Sequence, residues 1–175
     1  TIMLGNVPAE RLKIIEEIAA RATRSAKRRL PVSPADLVRA YYHGVAEEDL
    51  GLRSTENLAG AALFHAQLAS VRRHGQTIVR VFNPDPARDG FDSPNTIVAL
   101  ATDDMPFLVD SVGIVFTQNG IKVHFIAHPV LMVERDGRGR LKAHHLENPP
   151  ADARPESWQF IEVEWLDEQR LETLR

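Results

Sequence analysis

Residues 101–135 read ATDDMPFLVDSVGIVFTQNGIKVHFIAHPVLMVER, and the fold is decided there. A β-rich run from Thr96 to Thr102 leads into Asp103, Asp104, Met105, Pro106 and Phe107. An aspartate shortly before a proline and an apolar run predicts a helix start. Leu108, Val112, Val115 and Phe116 follow at helical spacing and predict its buried stripe. Asn119-Gly120 supplies a left-handed stop. Ile121 to Arg135 is β-rich, with Pro129 implying a bend, a bulge or an edge position. The segment therefore reads strand, helix, strand.

Toward the C-terminus, Asp136-Gly137 marks a hairpin turn, and Leu141 to His145 begins the return strand. Asn148 to Glu156 holds three prolines and reads as a loop. Ser157 to Leu166 alternates again, with Trp158 and Trp165 expected as core on the sheet face. Asp167 opens a helix that reaches the end of the chain. From residue 96 the order is βαββα, one strand short of the ferredoxin-like βαββαβ unit. The missing last strand reads as a C-terminal truncation that would leave a sheet edge exposed.

Toward the N-terminus, Thr77 to Phe82 is a further strand, closed by the turn Asn83-Pro84-Asp85-Pro86. Before it the sequence reads helical. Pro8 stands at a helix start, and Leu12, Ile15, Ile18, Ala22 and Ala26 form its apolar stripe. The far end of that helix carries Arg21, Arg24, Lys27, Arg28 and Arg29, cations that complement a helix dipole. Ser33-Pro34-Ala35-Asp36 opens a short helix. Ser54 caps a longer one whose face of small residues, with Leu58, Ala61, Ala62, His65, Leu68 and Ala69, predicts close approach to a neighbour. The class is α+β, with a helical segment over residues 1–75 and an α/β domain over residues 76–175.

Several function classes are excluded at this level. With no cysteine among 175 residues there is no disulfide, thiolate nucleophile or cysteine-ligated zinc, which fits a reducing, cytoplasmic setting. A formal charge of −3 argues against coating nucleic acid. No apolar run approaches the roughly 18–20 residues of a membrane helix. There is no phosphate-cradling glycine loop, and Gly137-Arg138-Gly139, the nearest approach to a dinucleotide fingerprint, lies in a hairpin turn. His124 and His128 share a strand face but lie about 13 Å apart, too far for one zinc. His144 and His145 would point to opposite faces if extended, the return strand could bring His145 near His128, and the seven histidines otherwise read as structural or surface groups. No catalytic residue, metal or cofactor is expected in this chain.

Asp103 and Asp104 admit two readings. They cap the following helix and compensate its dipole, or they hold the ammonium of a small ligand whose carboxylate meets the helix amides. The second suits an amino acid.

The stretch from Ala101 to Arg135 resembles the ACT domain, the small-molecule sensor of amino-acid metabolism. The family's usual Asp-x-Pro-Gly appears as Asp104-Met105-Pro106-Phe107, with a phenyl ring where glycine would let a ligand approach. The wider order of Tyr41-Tyr42, Glu48-Asp49-Leu50, the strand from Val79 to Pro84, Ser93-Pro94, the block from Asp103 to Ser111, His128-Pro129-Val130 and Glu156-Ser157 is similar to the N-terminal region of the large bacterial NAD-specific glutamate dehydrogenases. The resemblance implies an ACT-like, non-catalytic regulatory or oligomerisation domain. Its parent would oxidise glutamate with NAD in a catalytic domain far along the chain. Partners would be other domains and subunits of a homo-oligomer, and an amino-acid effector would contact Asp103, Asp104, Met105, Pro106, Phe107, Asn119 and Gly120. The alternative is a stand-alone amino-acid sensor.

Overall fold

A computed structural model describes residues 9–26 and 30–175. Pro8, Lys27, Arg28 and Arg29 lie outside the described residues. The chain forms helices α1 (Ala9–Ser25), α2 (Pro34–Tyr41), α3 (Glu47–Gly51) and α4 (Thr55–Leu68), strand β1 (Ile78–Phe82) and a short α5 (Pro86–Asp89). Then come β2 (Thr96–Asp103), α6 (Leu108–Gln118), β3 (Val123–Ala127), β4 (Val130–Arg135), β5 (Leu141–His145), β6 (Arg154–Val163) and α7 (Glu168–Leu174). The capping residues act as their chemistry predicts. Ser33 accepts from the Asp36 amide, Ser54 from that of Asn57, and Asp167 from that of Arg170.

The sheet is antiparallel in the order β1-β2-β6-β4-β5, and β3 joins β6 beside β4. The predicted long strand is thus one path broken at His128-Pro129. Proline has no N–H to give, but its carbonyl accepts from the Trp158 amide. No strand follows α7. The edge of β2 that a last ferredoxin-like strand would occupy is nevertheless filled by β1, in the register Val81↔Val98. The exposed edge expected beside β2 is therefore absent, because a strand from earlier in the chain takes that position. The predicted loop before β6 is also shorter than expected. β6 begins at Arg154, and Pro155 pairs with Met132.

Side chains alternate between the two faces of each strand. On one face, Ile97, Ala99, Ala101, Leu131, Val133, Trp158 and Phe160 pack against α1, α2 and α4 in a single core that joins the helical segment to the sheet. On the other, Val81, Val98, Leu100, Ile161 and Val163 meet Phe116 of α6 and Leu171 of α7. The small-residue face of α4 brings the helix very close to the chain at Gly90. A Cβ at Gly60 would lie 2.1 Å from the Gly90 carbonyl oxygen.

Three burial expectations need correction. Leu12 is exposed, so the α1 stripe narrows to Ile15, Ile18, Ala19 and Ala22. Trp165 is exposed, whereas Trp158 is wholly buried. In α6, Phe116 alone is buried, and Val115 faces solvent.

Candidate functional site

Asp103 ends β2 on the face toward the helices, and its carboxylate is fully engaged. It accepts from Arg72 Nη2 at 2.5 Å and from the Gly75 amide at 2.9 Å, and His74 Nδ1 lies 3.3 Å away. Burial pushes this carboxyl up, but the bonds from Arg72 and Gly75 outweigh it and hold the group below the usual carboxylate range. Asp104 is exposed, and its amide donates to the Pro155 carbonyl. Neither aspartate caps α6. The residue at the N-cap is Phe107, with no side-chain cap bond, because a left-handed turn separates Asp104 from the first helical residue.

That turn keeps the backbone of the glycine motif without its glycine. Phe107 has φ 63°, ψ 13°, the region that glycine enters freely and a bulky residue enters at about 1–2 kcal/mol. The ring does not fold over a pocket. It is 77% exposed, and Met105 beside it is 51% exposed. Asn119 and Gly120 lie at the other end of α6, about 16 Å away for an 11-residue helix. There Asn119 Nδ2 donates to the Val115 carbonyl, and Gly120 takes φ 64°. The seven residues therefore do not converge. Asp103 turns toward the helical face, residues 104–107 form an exposed turn, and Asn119-Gly120 is a helix stop.

The apolar stripe of α6 that does face outward runs from Phe107 to Ile114 and Val115, about two turns on. Gln159 lies on the same side of the sheet, since it pairs with Leu100 and alternates with Ile161. It is wholly buried, and neither atom of its amide has a hydrogen-bond partner among the described residues.

The helical face is closed by two charged clamps, both built on β6. Glu156, Trp158, Phe160 and Glu162 share this face. At one end Glu162 accepts from Arg53 and from Ser93 Oγ, and the Arg53 guanidinium lies 4.0 Å over the Phe125 ring. At the other end buried Glu156 accepts from Arg72 Nη1 (2.9 Å), Arg135 Nε (2.8 Å) and Trp158 Nε1 (3.2 Å). Between the clamps His65 stacks on Trp158, donates through Nε2 to the Leu100 carbonyl, and accepts at Nδ1 from Tyr41 Oη at 2.6 Å. Burial brings the His65 pKa down to about 4, so the imidazole is neutral. Neighbouring Tyr42 donates to the Leu58 carbonyl, and burial raises its phenol well above the usual value.

A model of the glutamate dehydrogenase ACT1 domain matches residues 37–175. The chain belongs to that family. It is 36% identical over 121 residues to the NAD-specific glutamate dehydrogenase of Halomonas elongata, covering 69% of this chain and 7% of that protein. It is 30% identical over 125 residues to the enzyme of that name from Pseudomonas aeruginosa, covering 71% and 8%. The chain thus spans under a tenth of the length of these curated relatives. No solved structure matches it.

In this ACT1 domain several motif residues that carried the resemblance have internal partners. Tyr41, Tyr42, Ser93, Asp103 and Glu156 are fixed as above, and Asn83 donates to the Leu166 carbonyl while accepting from Thr96 Oγ1. Met105 and Phe107 are exposed, as are Glu48, Val79, Asp104 and Val130. Sequence reasoning missed Arg72, Arg135, Arg53 and the inward carboxylates Glu156 and Glu162. The available signal was their phase: a glutamate in register with Trp158 and Phe160 must be buried, and a buried carboxylate needs a cation. Among the described residues no group of three or more histidines or carboxylates is placed to hold a metal, and no helix is long and apolar enough to cross a membrane.

Proposed function

We propose that this ACT1 domain is a non-catalytic assembly element of a large cytoplasmic NAD-dependent glutamate dehydrogenase. The whole protein would oxidise L-glutamate to 2-oxoglutarate and ammonia while reducing NAD, with the catalytic machinery elsewhere in the polypeptide. The observation that carries this reading is Phe107, a strained residue whose ring finds no burial within the chain. Strain persists where surrounding contacts over-determine it, and here those contacts come from outside the domain. The occupant of the α6 face is another segment of the same long polypeptide, within one subunit or from its neighbour. Relatives more than ten times longer than the matched stretch supply ample chain for it. Amino-acid sensing at the turn has less support, because the seven residues expected to form that site do not converge.

The test is Ile114→Glu in the full-length protein, read by sedimentation velocity alongside glutamate-dependent NADH formation. We expect the oligomer to weaken while the isolated 175-residue chain keeps its unfolding midpoint. Unchanged assembly and activity in the full-length variant would refute the reading.

A further inference from the structure

The Glu156 clamp borders a cavity of about 390 Å³ at the margin of the helical face, where the segment after α4 crosses the sheet end. Its floor includes Arg72, Arg135, Asp103 and Glu156. These four charges balance, and their hydrogen-bonding groups are largely spent on one another and on nearby backbone carbonyls. Above the floor stand Arg73 and Arg154, both exposed. Among the described residues neither has a carboxylate within 4.0 Å. His74 lies beside Arg73, and Asp152 offers the wall an acceptor that is likewise without a salt bridge among the described residues.

The backbone that carries Arg73 is held in place by hydrogen bonds to the hairpin. The Arg72 amide donates to the Gly139 carbonyl, and the Leu141 amide to that of Ser70. Gly139 has φ 82°, and a Cβ there would sit 2.7 Å from the Arg72 carbonyl oxygen, so the hairpin is seated directly on the Arg72 backbone. Arg72 Nε closes the loop on the Gln76 carbonyl. A concave surface carrying two guanidiniums without carboxylate partners, over a charge-balanced floor, suits a small dianion.

We propose that this cavity binds a small dianion, a dicarboxylate or a phosphate ester, held between the guanidiniums of Arg73 and Arg154, with Asp152 accepting from a donor group on the ligand. The site lies on the helical face and does not depend on the α6 surface.

Isothermal titration of the 175-residue chain with malonate and with inorganic phosphate, at fixed ionic strength, tests it. We expect saturable 1:1 binding of at least one probe with a Kd of about 1 mM or tighter. In the double variant Arg73→Ala/Arg154→Ala the Kd should weaken at least tenfold. Both positions are exposed and make no ion pair among the described residues, so an unchanged urea midpoint in the double variant separates a lost ligand contact from a damaged fold. Malonate alone binding marks a carboxylate ligand, and phosphate alone marks a phosphate ester. No saturable binding of either probe, or binding that survives the double substitution, overturns the proposal.

Discussion

On the helical face of the sheet Trp158, His65 and Tyr41 are enclosed and every polar atom they bury has a partner, whereas on the opposite face Phe107, Ile114 and Val115 stand in solvent above a buried amide with none. One side satisfies its own chemistry through two charged clamps and a histidine relay. The other has a helix that is apolar on both sides and buries only Phe116. The contrast separates what folds this chain from what the chain presents. The larger core lies on the helical face, and the unspent apolar surface on the α6 face. Each face can be broken separately, and the signs of the effects differ.

The largest effect is expected at Glu156. Glu156→Ala leaves the buried Arg72 and Arg135 guanidiniums without their shared carboxylate, and breaking a buried pair from one side costs about 3–5 kcal/mol. Urea denaturation should show the midpoint falling accordingly, and a loss under 1 kcal/mol would mean the clamp is not what closes this face. Next comes acid. Native His65 stays neutral down to a pKa of about 4, while the unfolded side chain takes up a proton below about 6.5. Between those values the unfolded state binds more protons, so stability contributed by His65 is full above about 6.5 and is lost as pH falls toward about 4. A shift of that size corresponds to about 3 kcal/mol. His65→Gln, which keeps a donor for the Leu100 carbonyl, should flatten that part of the curve. An unchanged slope would assign it to other groups.

How far the sequence reveals this contrast depends on where the deciding partner sits. Strand β2, the Ser33, Ser54 and Asp167 caps and the break at Pro129 rest on neighbours a few residues away, and each is legible. The place of β1 beside β2 is not, because the βαββα order leaves a vacant edge and only the tertiary path shows which strand fills it. Asp103 was legible as an important position but not in its role. Its partner Arg72 lies 31 residues earlier, and nothing local distinguishes a carboxylate that caps from one that is clamped. Within the predicted α6 stripe, Val115 was misplaced for a related reason. Apolar spacing identifies a helix, and an apolar helix is assumed to be covered by its own chain.

Gln159 sharpens the comparison from the α6 side with the opposite sign. A buried amide with both ends unsatisfied carries a desolvation penalty of about 1–3 kcal/mol. Gln159→Leu, similar in size and apolar, should therefore raise the urea midpoint, whereas truncations on the helical face lower it. A fall would mean that the amide is satisfied in solution and that the two faces are equally complete.

The smallest expected effect is the most diagnostic. Removing a buried phenylalanine side chain from a core costs about 3–5 kcal/mol, but Phe107 contributes no such burial. Phe107→Gly relieves a left-handed strain of about 1–2 kcal/mol and gives back about 0.5–1 kcal/mol through the greater freedom of unfolded glycine. The isolated chain should gain stability by up to about 1.5 kcal/mol, the difference of those two estimates. In the full-length protein the same substitution removes an aromatic ring from the α6 surface proposed to meet another segment, and on that proposal assembly should weaken as the domain itself becomes more stable. A residue that destabilises its own domain yet supports the assembly has its burial outside the domain. If Phe107→Gly instead destabilises the isolated chain by as much as a core truncation, the ring is buried in solution and the α6 face belongs to the fold.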